Sequence, residues 1–263
     1  MTTTPSSTRD TTTTSTTGGP AQYRPRHIVG IWLAATVPMS LLGWVVAPWA
    51  SHHIHSRDPF IDSLVVAFDV GLIWMMVLAL IIVRREQGSL TWPAVRRGLR
   101  LNAPRDPRTG LGWRRVWTYA VLFTVSTALV NMLPVDPQGP LPRDLPSALL
   151  TTRVQNYFDH NWVGYGLMVI NMFASPIAEE LLFRGVLLPR TRAVFGRGNV
   201  VANGALFTLY HLHQPWCMPV TFLDGAINQA WASERYRSTW MGLITHTAPS
   251  FLVGAILLHA VLH

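Results

Sequence analysis

From Ile28 to Ala50 the chain runs 23 residues without one ionisable side chain. A helix crosses a bilayer in about 20 residues, and within hydrocarbon a lone segment satisfies its backbone polar groups only by coiling into a helix. A cleaved signal peptide has a shorter apolar core and a small-residue cleavage site. This stretch ends Ala47-Pro48-Trp49-Ala50 and is read as a retained first span. Further apolar segments follow at about 60–83, 116–133, 161–188, 199–213, 218–232 and 239 to the C-terminus. The expected fold is therefore all-α, a polytopic membrane helical bundle of about seven (six to eight) transmembrane helices. Composition agrees: 13% of the 263 residues are charged, against about 25% in an ordinary soluble domain. A single cysteine, Cys217, excludes a disulfide-stapled domain.

Residues 1–27 stand apart. Ten threonines fall within positions 1–17, with almost nothing to bury, and the segment reads as a disordered tail. The remainder divides into N-terminal spans at 28–133, with a basic loop at 84–115, and a core at 161–263. Every basic residue other than histidine is arginine, and nine arginines lie between Arg84 and Arg115 against Glu86 and Asp106. The 134–160 connection carries only Arg143 and Arg153, whereas the 189–198 and 233–238 segments are again arginine-rich. The positive-inside rule then places the N-terminus and these three basic segments in the cytoplasm of what reads as a prokaryotic plasma-membrane protein. Leu90, Trp92, Val95 and Leu99 interleave with Arg96, Arg97 and Arg100 at helical spacing. That pattern suits an interfacial helix on anionic membrane lipid, and no nucleic-acid partner is expected.

Ionisable side chains at membrane depth cost about 2.5–3.5 kcal/mol each on the insertion scale, so those present are candidates for function. Glu179 and Glu180 are adjacent in the fourth apolar segment, and they are half of the chain's four glutamates. Arg184 falls on the face of Glu180, one turn on, while Glu179 is turned about 100° away. Glu180 can thus be neutralised by Arg184, leaving Glu179 to face a cavity. His211 in the fifth segment, and His246 and Ser250 in the seventh, are the other polar intruders. At ~1.5 Å per residue, Glu179 lies ~14 Å, His211 ~18 Å, His246 ~11 Å and Ser250 ~17 Å from the same membrane face. A desolvated glutamate can take a proton from water. Histidines can orient that water, donate to an oxyanion or bind a metal. His211, His246 and Glu179 have the ligand chemistry of a two-His, one-Glu zinc set, and the residues alone leave metal dependence open. Asp224 and Asp69 read as interhelical pairing or cavity-solvating groups, and His52, His53 and His55 as an ordinary loop.

The sequence Glu179-Glu180-Leu181-Leu182-Phe183-Arg184 resembles the E-E-x-x-x-R motif of the CAAX prenyl endopeptidase and Abi (CPBP) family of intramembrane proteases. Phe207-Thr208-Leu209-Tyr210-His211 resembles its F-x-x-x-H motif, and His246 the histidine of its third motif. The likeness covers about residues 161–256, with the motifs in order. It implies that Glu179 is the base that activates water, supported by Glu180 and Arg184. His211 would orient the water, His246 would serve the oxyanion, and Phe207 would shape the pocket. Ser250 stands where the family carries Asn or Asp. The implied activity is endopeptidase cleavage of a peptide or lipidated, CAAX-type protein substrate. Two other classes stay open. One is a membrane interaction or immunity protein on the same scaffold with weakened catalysis, for which Ser250 speaks. The other is a proton-coupled transporter, against which the lack of an internal inverted repeat counts.

Overall fold

The computed structural model describes residues 21–110, 112–140, 143–144 and 151–262. Among them the chain is helical and contains no strand. Most of the 1–27 tail lies outside the described residues, but its last part does not fray. Gln22 Nε2 donates to the Pro189 carbonyl at 3.0 Å, Tyr23 N to Arg190 O at 2.8 Å, and the Tyr23 hydroxyl to Glu86 at 2.5 Å. Residues 22 and 23, expected to belong to the disordered tail, are thus held against the bundle, and residues 25–27 already lie in the first helix. These polar contacts hold the chain before the first helix, which begins at Pro25.

Helix α1 is Pro25–Ser51, α2 Pro59–Gln87, α3 Trp92–Gly98 and α4 Trp113–Asn131. Helix α5 is Thr152–Phe158, α6 Trp162–Arg190 and α7 Asn199–Tyr210. Met218–Asp224, the π-helical Gly225–Trp231 and Ala232–Arg235 continue one another as α8, and α9 is Thr239–Leu262. Helices stand at all seven expected places. Of these, α1, α2, α6 and α9 are long and apolar enough to cross a membrane. Two boundaries moved. Helix α2 runs on through Arg84 and Arg85 to a C-cap at Gly88, whose φ of 73° a glycine adopts without strain. Helix α7 stops at Tyr210, and His211–His213 form a 3₁₀ turn ahead of Pro215. His211 therefore sits at a helix end and not inside a span. Helix α5 was not expected at all.

Local chemistry explains the ends. Asp58 caps α2 by accepting from the Phe60 and Ile61 amides, both at 3.2 Å, and is itself gripped by Arg153 at 2.6 and 3.0 Å. Asn161 caps α6 through the Gly164 amide. Helix α6 is the axis: α2 lies along one side, α9 along another, and α4 packs on α9. The main core lies between α1, α2, α6 and α7, with Met39, Phe68, Leu72, Leu182, Phe183 and Phe207 buried. Outward faces are apolar as well. Leu33, Val70, Ile73, Val121, Leu122, Leu129, Phe251 and Leu252 are exposed, as side chains in contact with lipid are.

Prolines within these helices reveal a packing device. Pro38 removes the donor that the Ala34 carbonyl would have had, and the Trp74 indole of α2 supplies one at 2.7 Å. Pro176 does the same to the Met172 carbonyl of α6, and the Ser250 hydroxyl of α9 donates to it at 2.9 Å. Each orphaned carbonyl becomes a point of attachment between helices.

Candidate active site

Glu179 and Glu180 end the regular part of α6, and the next seven residues, Leu181–Leu187, widen into a π-helix. Single-turn π segments inside α-helices gather at functional sites. Arg184 lies in this turn, fully buried, and its guanidinium reaches Glu180 at 3.0 Å. The same guanidinium donates to the Gly225 carbonyl of α8 at 3.0 Å and stacks 4.1 Å over the Phe207 ring. One of two buried carboxylates is thus paired, as burial of charge requires.

Glu179 faces two imidazoles. Its Oε1 is 4.0 Å from His211 Nε2, and its Oε2 is 3.8 Å from His246 Nε2. Each His211 nitrogen has a distinct setting. Nδ1 lies 2.9 Å from the Phe207 carbonyl, which only accepts, so Nδ1 carries a proton and, in the neutral ring, Nε2 presents its lone pair toward Glu179. His246 lies between the two carboxylates, with Nδ1 3.2 Å from Glu180. Phe207 stands edge-on to both rings.

Two cavities meet at this cluster. The larger, about 150 Å³, is lined by His211, His246, Phe207, Asp224 and Thr127. The smaller, about 80 Å³, is lined by Glu179, Tyr210, Ser175, Asn171 and again His211. The His211 ring borders both. Tyr210 is fully buried there, and its hydroxyl has no hydrogen-bond partner among the described residues.

The expected site residues thus assemble unevenly. Glu179, Glu180, Arg184, Phe207, His211 and His246 form one contact cluster. Ser250 does not join it, because its hydroxyl is engaged on Met172. Asp224 lines the larger cavity and is held by Thr127, Asn228 and Gln229 at 2.6–2.9 Å. Asp69 accepts from Asn171. No three His, Cys, Asp or Glu are grouped to hold a metal ion among the described residues. That holds of Glu179, His211 and His246 and of His52, His53 and His55 as they stand.

Sequence reasoning missed the glycines that make room. A Cβ on Gly242, one turn before His246, would run into Glu180 Oε2. One on Gly225 would come within 2.7 Å of the Phe207 ring and 3.2 Å of Arg184 Nη2. Spacing carried a signal for the first, since Gly242, His246 and Ser250 share a helix face.

An all-helical, apolar-surfaced bundle that encloses two carboxylates, a guanidinium and two imidazoles defines a class: an integral membrane protein with a polar centre among its helices. Residues 161–252 match the family model described as type II CAAX prenyl endopeptidase Rce1-like, so this segment of the chain is similar to a protease family. The match encloses every motif residue from Glu179 to Ser250. No curated protein and no solved structure matches the chain.

Proposed function

We propose that the protein is an intramembrane endopeptidase that hydrolyses a peptide bond with a water activated by Glu179. The observation that carries this reading is the position of Glu179 between His211 Nε2 and His246 Nε2, at 4.0 and 3.8 Å, deep in an apolar bundle. In this scheme a water bridges Glu179 and His211. Glu179 takes one of its protons as the hydroxide attacks the scissile carbonyl carbon. His246 stands beside the developing oxyanion, and Glu179 returns the proton to the leaving amine. Glu180 and Arg184 hold His246 and the π turn in place.

The substrate side of the reading rests on an apolar groove of about 580 Å³ between α6 and α9, lined by Ile177, Leu181, Leu243, Thr247 and Phe251. It lies one helix face away from His246 and suits a lipidated, CAAX-type chain held in the membrane. The basic loops are placed in the cytoplasm on the same reasoning as above. Cleavage of a fluorogenic peptide panel by the purified protein, with prenylated and plain members and with and without a chelator, tests this. We expect cleavage that favours prenylated members. No cleavage of any member would overturn it.

One observation favours a second reading, a membrane interaction protein with weakened catalysis. The residue at the family's Asn or Asp position, Ser250, directs its hydroxyl to a helix carbonyl instead of the cavity. The same panel separates the two.

A further inference from the structure

The basic end of the bundle holds a third cavity, of about 660 Å³, that the reaction above does not use. Its walls come from the end of α2, from α3 and the segment after it, from the end of α6, and from the turn between α8 and α9. Five arginines line it, Arg97, Arg100, Arg190, Arg192 and Arg237, with a single acid, Glu234.

Their charges are unequally matched. Arg190 is fully engaged, on Glu86 at 2.5–3.0 Å and on the carbonyls of Gly185, Val186 and Gly98. Glu234 is shared, with Arg100 at 3.2 Å and Arg192 at 2.9 Å. Arg97 and Arg237 are exposed, and no acid pairs with either among the described residues. Five guanidiniums against Glu234 and Glu86 leave three positive charges in excess. Burial lowers the Arg100 pKa and Glu234 raises it, while Arg237 and Arg190 lower it further. These cations feel one another.

Backbone strain points the same way. Arg100 and Arg237 have φ of 52° and 49°, a left-handed conformation that non-glycine residues seldom adopt. Both are pinned by a short clamp: Thr239 N donates to Arg100 O at 3.1 Å, Thr239 Oγ1 to Leu99 O at 2.7 Å, and Arg105 N to Tyr236 O at 3.2 Å. The fold thus holds two like charges against one cavity in an unfavourable backbone conformation.

We propose that this cavity binds a phosphate group, supplied by the headgroup of an anionic phospholipid or by a soluble phosphate ester. A phosphate carries up to two charges and offers several oxygens, so separate guanidinium forks can engage it together, whereas one carboxylate is satisfied by one fork. The lining residues include no aromatic side chain on which a nucleic-acid base would stack.

The test uses the full chain purified in neutral detergent, with thermal unfolding as the readout. One arm titrates glycerol phosphate, the other phosphatidylglycerol in mixed micelles. The wild type should gain melting temperature in at least one arm: a response to glycerol phosphate identifies a soluble ester, and a response to the lipid alone a headgroup. Arg97→Gln with Arg237→Gln should weaken the response by about tenfold or more, the scale of a lost charge-assisted contact. Arg26→Gln with Arg108→Gln removes equal charge from residues outside the lining and should leave the response unchanged. Both replaced pairs are exposed, and a melting temperature like that of the wild type without ligand shows that each variant folds. Arg237→Gln alone serves if the double variant does not. No response in either arm, or equal weakening by the two pairs, would overturn the proposal.

Discussion

At the scale of single residues, the site turns on how differently two adjacent glutamates are placed. Glu180 touches Arg184 and His246, whereas Glu179 borders a cavity and faces Nε2 of both histidines. Glu179→Gln keeps size and hydrogen bonding but removes proton acceptance. Turnover should fall by ~10²–10⁴, with a melting temperature close to that of the wild type. Glu180→Gln should differ by lowering stability as well, because it leaves Arg184 a buried cation without its carboxylate, a change worth about 3–5 kcal/mol when a buried pair is broken. Cleavage by Glu179→Gln at the wild-type rate would remove it as the base. These residues were legible in the sequence because ionisable groups are anomalous in apolar helices. Gly242 was passed over although its spacing puts it on the face of His246, since glycine is commonplace there and what makes it matter is Glu180 on another helix.

Between elements, the fit of α9 against α6 is the sensitive joint. Gly242→Ala places a methyl group where Glu180 Oε2 lies. It should cost about 1–3 kcal/mol, as overpacking does, and lower turnover in step. Unchanged melting and activity would mean that Glu180 moves aside freely. Higher along the same joint, Ser250 supplies the donor that Pro176 takes from Met172. Ser250→Ala should cost about 0.6 kcal/mol, an ordinary interhelical hydrogen bond in a membrane. With Pro176→Ala already in place the cost should vanish, because alanine at that position brings back a main-chain N–H. Equal penalties in both backgrounds, measured by unfolding, would refute the coupling. The helices themselves were legible from apolar runs, to within a few residues. Their π-helical turns were not, because adding one residue to a turn leaves an apolar sequence apolar. Helix α5 went unseen because it lies in a polar connection and is held by tertiary contacts such as Tyr157 to Asp62 at 2.5 Å.

For the whole molecule, the arginine pattern predicts that reporter fusions at Arg108 and Gly139 fall on opposite sides of the membrane. Both on one side would remove α4 as a crossing. The basic loop is also fastened to the domain that carries the site. Arg235, at the end of α8, grips Asp106 with both arms of its guanidinium. That grip, with the Arg108 and Thr109 amides, outweighs desolvation and holds the Asp106 carboxyl down to about 2 from its ordinary 3.8. A carboxylate depressed by folding contributes stability above its unfolded pKa and loses it as pH falls through the folded one. Melting temperature should therefore decline as pH drops from about 4 toward 2, and Asp106→Asn should flatten that part of the profile. An identical acid limb in the variant would count against the clamp. Overall architecture was thus legible from composition and apolar length. The loop clamp was not, because residues 106 and 235 become neighbours only once the helices between them have packed.

The hydrogen bond from Ser250 to Met172, across 78 positions of sequence, has a historical consequence. While proline occupies position 176, loss of the serine hydroxyl exposes an unpaired carbonyl; once the proline is gone, the serine is free to drift. The order of substitution therefore matters. A lineage that replaces Pro176 first travels a level path, whereas one that replaces Ser250 first must pass through a less stable ancestor.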